Sequence, residues 1–103
     1  MKIAGGYKIG TSRFEFYPSS VLDGSATWDA GSIADGDEEA KEVTVTGAAL
    51  GDFAIASLSI DVADLVLNAQ VTAANTITCV LANNTGGAID LGTATIYVRV
   101  MKK

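Results

Sequence analysis

The sequence predicts an all-β fold, a small antiparallel β-sandwich or flattened barrel carrying an extended arm at its N-terminus. Three observations predict it. The stretch Leu65 to Asn83 alternates with a period of two: Leu65, Leu67, Ala69 and Val71 fall on one face, and Ile77, Cys79 and Leu81 continue it after Ala73-Ala74-Asn75. The last stretch, Thr93 to Met101, alternates in the same way, with Ile96, Val98 and Val100 inward and Thr95, Tyr97 and Arg99 outward. Finally, no amphipathic helix longer than about two turns can be drawn anywhere along the chain. A sheet with one apolar face must be covered, so these runs imply two layers around one core.

Residues 1–24 form the expected arm and residues 25–103 the expected sandwich domain. The arm holds the only proline, Pro18, and four of the seven aromatics, Tyr7, Phe14, Phe16 and Tyr17. Two readings of it stand side by side: a first strand whose aromatics fill the protein's own core, or an arm whose aromatics dock on another subunit or another protein. Fully extended, a segment of that length reaches about 80 Å, against a radius of gyration of about 13 Å for a domain of this size. Trp28, the only tryptophan, precedes the turn signal Gly31-Ser32 and reads as a core or subunit-contact residue. Tyr7, Phe14, Phe16, Tyr17 and Trp28 are therefore the candidate interface anchors, because aromatic side chains dominate interface hot spots.

Asp35-Gly36-Asp37-Glu38-Glu39 reads as a solvated acidic turn. A calcium loop counted from Asp35 would need Gly and Glu where Ala40 and Thr46 stand, so the metal reading fails. Lys41 to Thr46 is the next strand, with Val43 and Val45 on one face. Gly47 to Asp52 is a small-residue connection, drawn as at most one helical turn, and its glycines lack the Lys-Ser/Thr of a phosphate loop. Phe53 to Ser59 is a strand, and Ile60 to Asp64 leads into the central hairpin, whose turn ends in Asn75 because asparagine tolerates the left-handed backbone. Asn84-Thr85-Gly86-Gly87 is a turn cluster. Up to two more strands fit within residues 12–33. The middle strands carry no charge, and Val66, Val80, Ala54 and Ala56 are expected to form a second, outward apolar surface that packs against other subunits.

Composition narrows the function. Apolar residues make up 49% of the 103-residue chain and charged residues 18%, which suits one globular domain. The net charge of −5 is concentrated in residues 25–64, where nine acids face Lys41. That distribution argues against a nucleic-acid partner, which requires a basic face. The uncharged run Leu65 to Ile89 is too rich in Asn, Gln, Thr and Gly for a membrane helix. Met1 to Tyr7 lacks the apolar core of a signal peptide, and one cysteine supports no disulfide framework, so a soluble protein folded in a reducing cytoplasm is expected. With no histidine, no Gly-x-Ser-x-Gly elbow and its one cysteine at an inward strand position, the sequence is not that of an enzyme and calls for no cofactor.

Several segments, in order and at their spacing, resemble a group of small tailed-bacteriophage structural proteins. They are Gly31-Ser32-Ile33-Ala34-Asp35-Gly36, then Val43-Thr44-Val45-Thr46-Gly47-Ala48-Ala49-Leu50-Gly51-Asp52-Phe53, then Val71-Thr72-Ala73-Ala74-Asn75-Thr76-Ile77-Thr78. The resemblance continues through Asn83-Asn84-Thr85-Gly86-Gly87-Ala88-Ile89-Asp90-Leu91 and Ile96-Tyr97-Val98-Arg99-Val100, covering residues 31–101. It implies a β-rich virion module, commonly a homotrimer, that decorates or cements the head by binding the major capsid protein across capsomers. The alternative within the same resemblance is a part of a head or tail fibre. A carbohydrate- or host-binding module, with Trp28 or Tyr97 as the stacking platform, is the competing class. The expected location is the virion, assembled in the host cytoplasm.

Overall fold

Strict inside–outside alternation builds two central strands, and the rest of the chain is arranged on them. The computed structural model describes residues 20–103, so the expected arm anchors Tyr7, Phe14, Phe16 and Tyr17 lie outside the described residues. Eight strands follow one another: β1 (Val21–Asp29), β2 (Ser32–Ile33), β3 (Glu38–Thr44), β4 (Phe53–Leu58), β5 (Val66–Ala73), β6 (Thr76–Ala82), β7 (Ile89–Asp90) and β8 (Thr93–Met101). One antiparallel sheet has the order β1-β8-β4, a second β3-β6-β5, and β2 and β7 form a short two-stranded ribbon. The two larger sheets pack face to face. Ile77, Cys79 and Leu81 of β6 and Ile96, Val98 and Val100 of β8 form the middle of the core, which Trp28, Val43, Val45, Leu65 and Val71 extend.

The hairpin β5–β6 forms where the sequence places it. Asn75 takes the left-handed conformation at φ 61°, and the register slips between Val71 and Ala73 as the strands approach the turn. The turn is also tied to the loop after β3. Asn75 Oδ1 accepts from the Gly47 amide at 2.8 Å, the Val45 amide donates to the Asn75 carbonyl at 2.9 Å, and the Asn75 amide donates to the Ala48 carbonyl at 2.9 Å. That loop is a pair of turns and contains no helix. The acidic segment also differs from expectation. Only Asp35-Gly36 turns, and Glu38 and Glu39 already belong to β3, paired with Ala82 and Leu81. The hydrogen bonds of β6, a central strand, extend the pairing of β3 over residues whose side chains reach solvent. At the other end of the chain order, β1 begins at Val21, so Val21 to Gly24 pair with Val98 to Met101 inside the sheet.

Two polar devices close the sandwich. Asn83 is fully buried, and every polar atom of its amide is used: Nδ2 donates to the carbonyls of Ile33 (2.7 Å) and Gly87 (2.8 Å), and Oδ1 accepts from the Thr85 amide (2.9 Å) and hydroxyl (2.7 Å). It thereby pins β2 to the segment before β7. The second device is a clasp at the C-terminus. Asp52 accepts from Lys102 Nζ at 2.6 Å, from the Ala49 amide at 3.0 Å and from the Lys103 amide at 3.2 Å, and Lys102 Nζ also reaches the Gly47 carbonyl at 2.8 Å.

The Asp52 side chain is only 2% exposed, covered by its own donors. Lys102, with the two amides adding to it, holds the carboxyl below its ordinary range, while burial opposes this more weakly. A carboxyl that is more acidic when folded stabilises the native state above its unfolded pKa, and that contribution is lost as pH falls through the folded value. The gap in urea midpoint between the native chain and Asp52→Asn is therefore expected to be widest above about pH 4 and to narrow below it. A gap that stays constant into the acid range would show that the clasp does not depend on the carboxylate.

Candidate functional site

The outward faces of the two large sheets differ in kind. On the β1-β8-β4 sheet the register creates three cross-strand rows: Val21–Met101–Phe53, then Asp23–Arg99–Ile55, then Ser25–Tyr97–Ser57. Phe53 is 63% exposed, Ile55 56% and Tyr97 51%. Around the last two rows lies a shallow concavity of about 530 Å³. On the β3-β6-β5 sheet, exposed Val66 and half-buried Val80 sit among Asn68, Gln70, Thr72 and Thr78, with Glu38 and Glu42 along the β3 edge.

Strand β4 is inverted by size. Its large side chains, Phe53 and Ile55, face out, and its alanines, Ala54 and Ala56, pack against the core. This corrects the expectation that Ala54 and Ala56 form the outward surface with Val66 and Val80. Both phases of Phe-Ala-Ile-Ala are apolar, so alternation alone does not orient the strand. Pairing does: Ala54 stands opposite Val100, Ala56 opposite Val98 and Leu58 opposite Ile96, and directly opposed residues share a face. Covering an exposed Phe or Ile contributes about 1.5–3 kcal/mol, which a free sheet face leaves unused.

The Asp23–Arg99 pair lies at the centre of this face. Arg99 Nε donates to Asp23 Oδ1 at 2.7 Å and Nη2 to Oδ2 at 3.2 Å, a two-pronged contact between residues in register on neighbouring strands. The guanidinium's hydrogen bonds, aided by its charge, hold the Asp23 carboxyl below its usual range, and the carboxylate raises Arg99 in turn. Both side chains are more than half exposed, so the pair adds little to stability and is better regarded as a fixed pattern of charge on the surface. The sequence carries a faint signal of it: Arg99 is the one charged residue inside the final strand, and its partner becomes visible only with the register.

Trp28 is placed elsewhere. It is 5% exposed and belongs to the core, which corrects its assignment as an interface anchor or stacking platform. On β1 it follows Leu22, Gly24 and Ala26 on the inward phase, and its partner on β8 is the small, buried Ala94. Of the two candidate platforms, Tyr97 remains at the surface. Cys79 is fully buried, and burial pushes its thiol up to about 11, so at neutral pH it is protonated and shielded. Among the described residues no group of three or more His, Cys, Asp or Glu could hold a metal, and no helix is long and apolar enough to cross a membrane. No protein-family model matches the chain, and no curated protein matches it.

Proposed function

We propose that this chain is a structural component of a tailed-phage virion that stabilises the head by binding across capsomers, as a homo-oligomer. The observation that carries the reading is the large-out, small-in packing of β4. It leaves Phe53 and Ile55 at the surface of a sandwich whose core is already filled by β6 and β8. A protein that cements neighbours needs adhesive surfaces on more than one side, and Val66 supplies an exposed apolar side chain on the opposite sheet. The sequence resemblance over residues 31–101 supports the same role, and aromatic residues 7–17 supply further anchors toward the major capsid protein.

Co-sedimentation with expanded, empty capsids of the phage that encodes the chain tests this. Saturable binding at a fixed ratio to capsid protein is expected, weakened when residues 1–19, which precede the first strand, are removed. Protein left wholly in the supernatant contradicts it. The concavity beside Tyr97 favours carbohydrate binding as the second reading. Retention on a glycan array that is lost in Tyr97→Ala, with no capsid binding, is the result that would select it.

A further inference from the structure

We infer that the outer face of the β1-β8-β4 sheet is the docking surface for a second copy of this chain. The inference rests on the assembly role proposed above and names the surface through which copies meet. Four observations converge on it.

The first is the inverted packing of β4. Its outward phase carries Phe53 and Ile55 while its inward phase carries only Ala54, Ala56 and Leu58, so two large apolar side chains stand at the surface where a covering partner would remove them from water. The second is charge. Residues 25–64 carry a net charge of −8, so two copies repel over much of their surface. The middle of this face instead presents one acid and one base side by side, Asp23 and Arg99. Such a pattern is self-complementary: a second copy turned over on the face can set its Arg99 against Asp23 and its Asp23 against Arg99. A partner of single charge has no such match.

The third observation is unspent hydrogen-bonding capacity. Arg99 uses two of its five donors on Asp23. The hydroxyls of Ser25, Ser57 and Tyr97 make no hydrogen bond to the described residues. The fourth is size. Three strands of up to nine residues span about 14 by 30 Å, a projection of about 400 Å². Corrugated side chains bring the surface buried on contact toward the roughly 600 Å² per partner at the lower end of specific interfaces.

The test is the mass of the full chain by light scattering during size-exclusion chromatography, at loads of about 10 and 100 µM, the micromolar range in which an interface of this size associates. The chain mass is 10.5 kDa. The native protein is expected at about twice that mass, since a face that pairs with its own turned-over copy closes as a dimer. Ile55→Ser, Asp23→Arg and Arg99→Asp are each expected to weaken association about thirtyfold or more and to elute as monomers. All three sites are exposed, and continued protection of the Cys79 thiol from labelling shows that the variants remain folded. Mixing Asp23→Arg with Arg99→Asp sets an all-positive centre against an all-negative one and is expected to restore the larger mass.

A native chain that stays monomeric at both loads overturns the inference. So do variants whose mass equals the native one, and a Tyr97-dependent glycan interaction on a monomer, which would assign the face to sugar instead. Capsid co-sedimentation of the same samples separates the two readings. Monomers that still bind capsids refute the docking surface and leave the virion role standing. Oligomers that ignore capsids do the reverse.

Discussion

Replacing Asn83 by alanine is expected to lower the stability of this protein by about 3 kcal/mol or more, the largest effect of any single polar substitution. The amide stands at a junction: it is fully buried and bridges Ile33, Thr85 and Gly87. Truncation removes the donor to the buried Ile33 carbonyl and the acceptor of the part-buried Thr85 amide, while the Gly87 carbonyl keeps the Thr85 hydroxyl at 3.1 Å, and each buried group left without a partner costs about 1–3 kcal/mol. Asn83→Asp is expected to do no better. A carboxylate keeps the acceptor that serves Thr85 but turns its second oxygen toward the carbonyls of Ile33 and Gly87, where only a donor fits. The check is the urea midpoint of both variants at an unchanged slope. A loss below about 1 kcal/mol in Asn83→Ala would mean that the ribbon β2–β7 is not held through this residue.

The second large effect is expected at Gly24. It sits on the inward phase of β1, where the edge of one sheet meets the end of β3. A methyl group there would stand 2.7 Å from Val45 Cγ2 and 3.0 Å from the Thr44 carbonyl oxygen. The first contact is far inside normal van der Waals distance and the second involves backbone, so the two sheets must part or β1 must shift. Overpacking of this kind costs about 1–3 kcal/mol, and Gly24→Val is expected to exceed Gly24→Ala. Because the main clash is with one side chain, Gly24→Ala and Val45→Ala should couple: the double variant is expected to be more stable than the sum of the single losses implies. Strict additivity in urea denaturation would show that the close approach to Val45 is not what the glycine serves.

Most of the architecture is legible in the sequence because the deciding strands alternate cleanly. β8 has the ends expected of it, Thr93–Met101, β6 starts directly after the expected turn at Asn75, and Ile77, Cys79, Leu81, Ile96, Val98 and Val100 all face inward as their spacing requires. Failures occur where alternation carries no information. Both phases of β4 are apolar, so only its pairing with β8 decides that Phe53 and Ile55 face outward. Glu38 and Glu39 look like a turn because their side chains are charged, yet an edge strand with solvent on its outer side accepts them. Trp28 is ambiguous for a related reason. A single large aromatic suits an interface as well as a core, and the choice rests on Ala94, which lies 66 positions later in the chain and directly opposite in the sheet. The candidate site is less legible than the fold, since Asp23 and Arg99 lie 76 residues apart and are brought together only by the β1–β8 register.

The central claim is that this sandwich works by contact, holding neighbouring subunits together through its exposed apolar faces. Its most direct test is electron cryo-microscopy of expanded, empty capsids after incubation with the purified chain. The account predicts additional density of this size seated over the joints between capsomers, repeated with the symmetry of the shell. Capsids indistinguishable from untreated ones, with all of the protein free in solution, would contradict it.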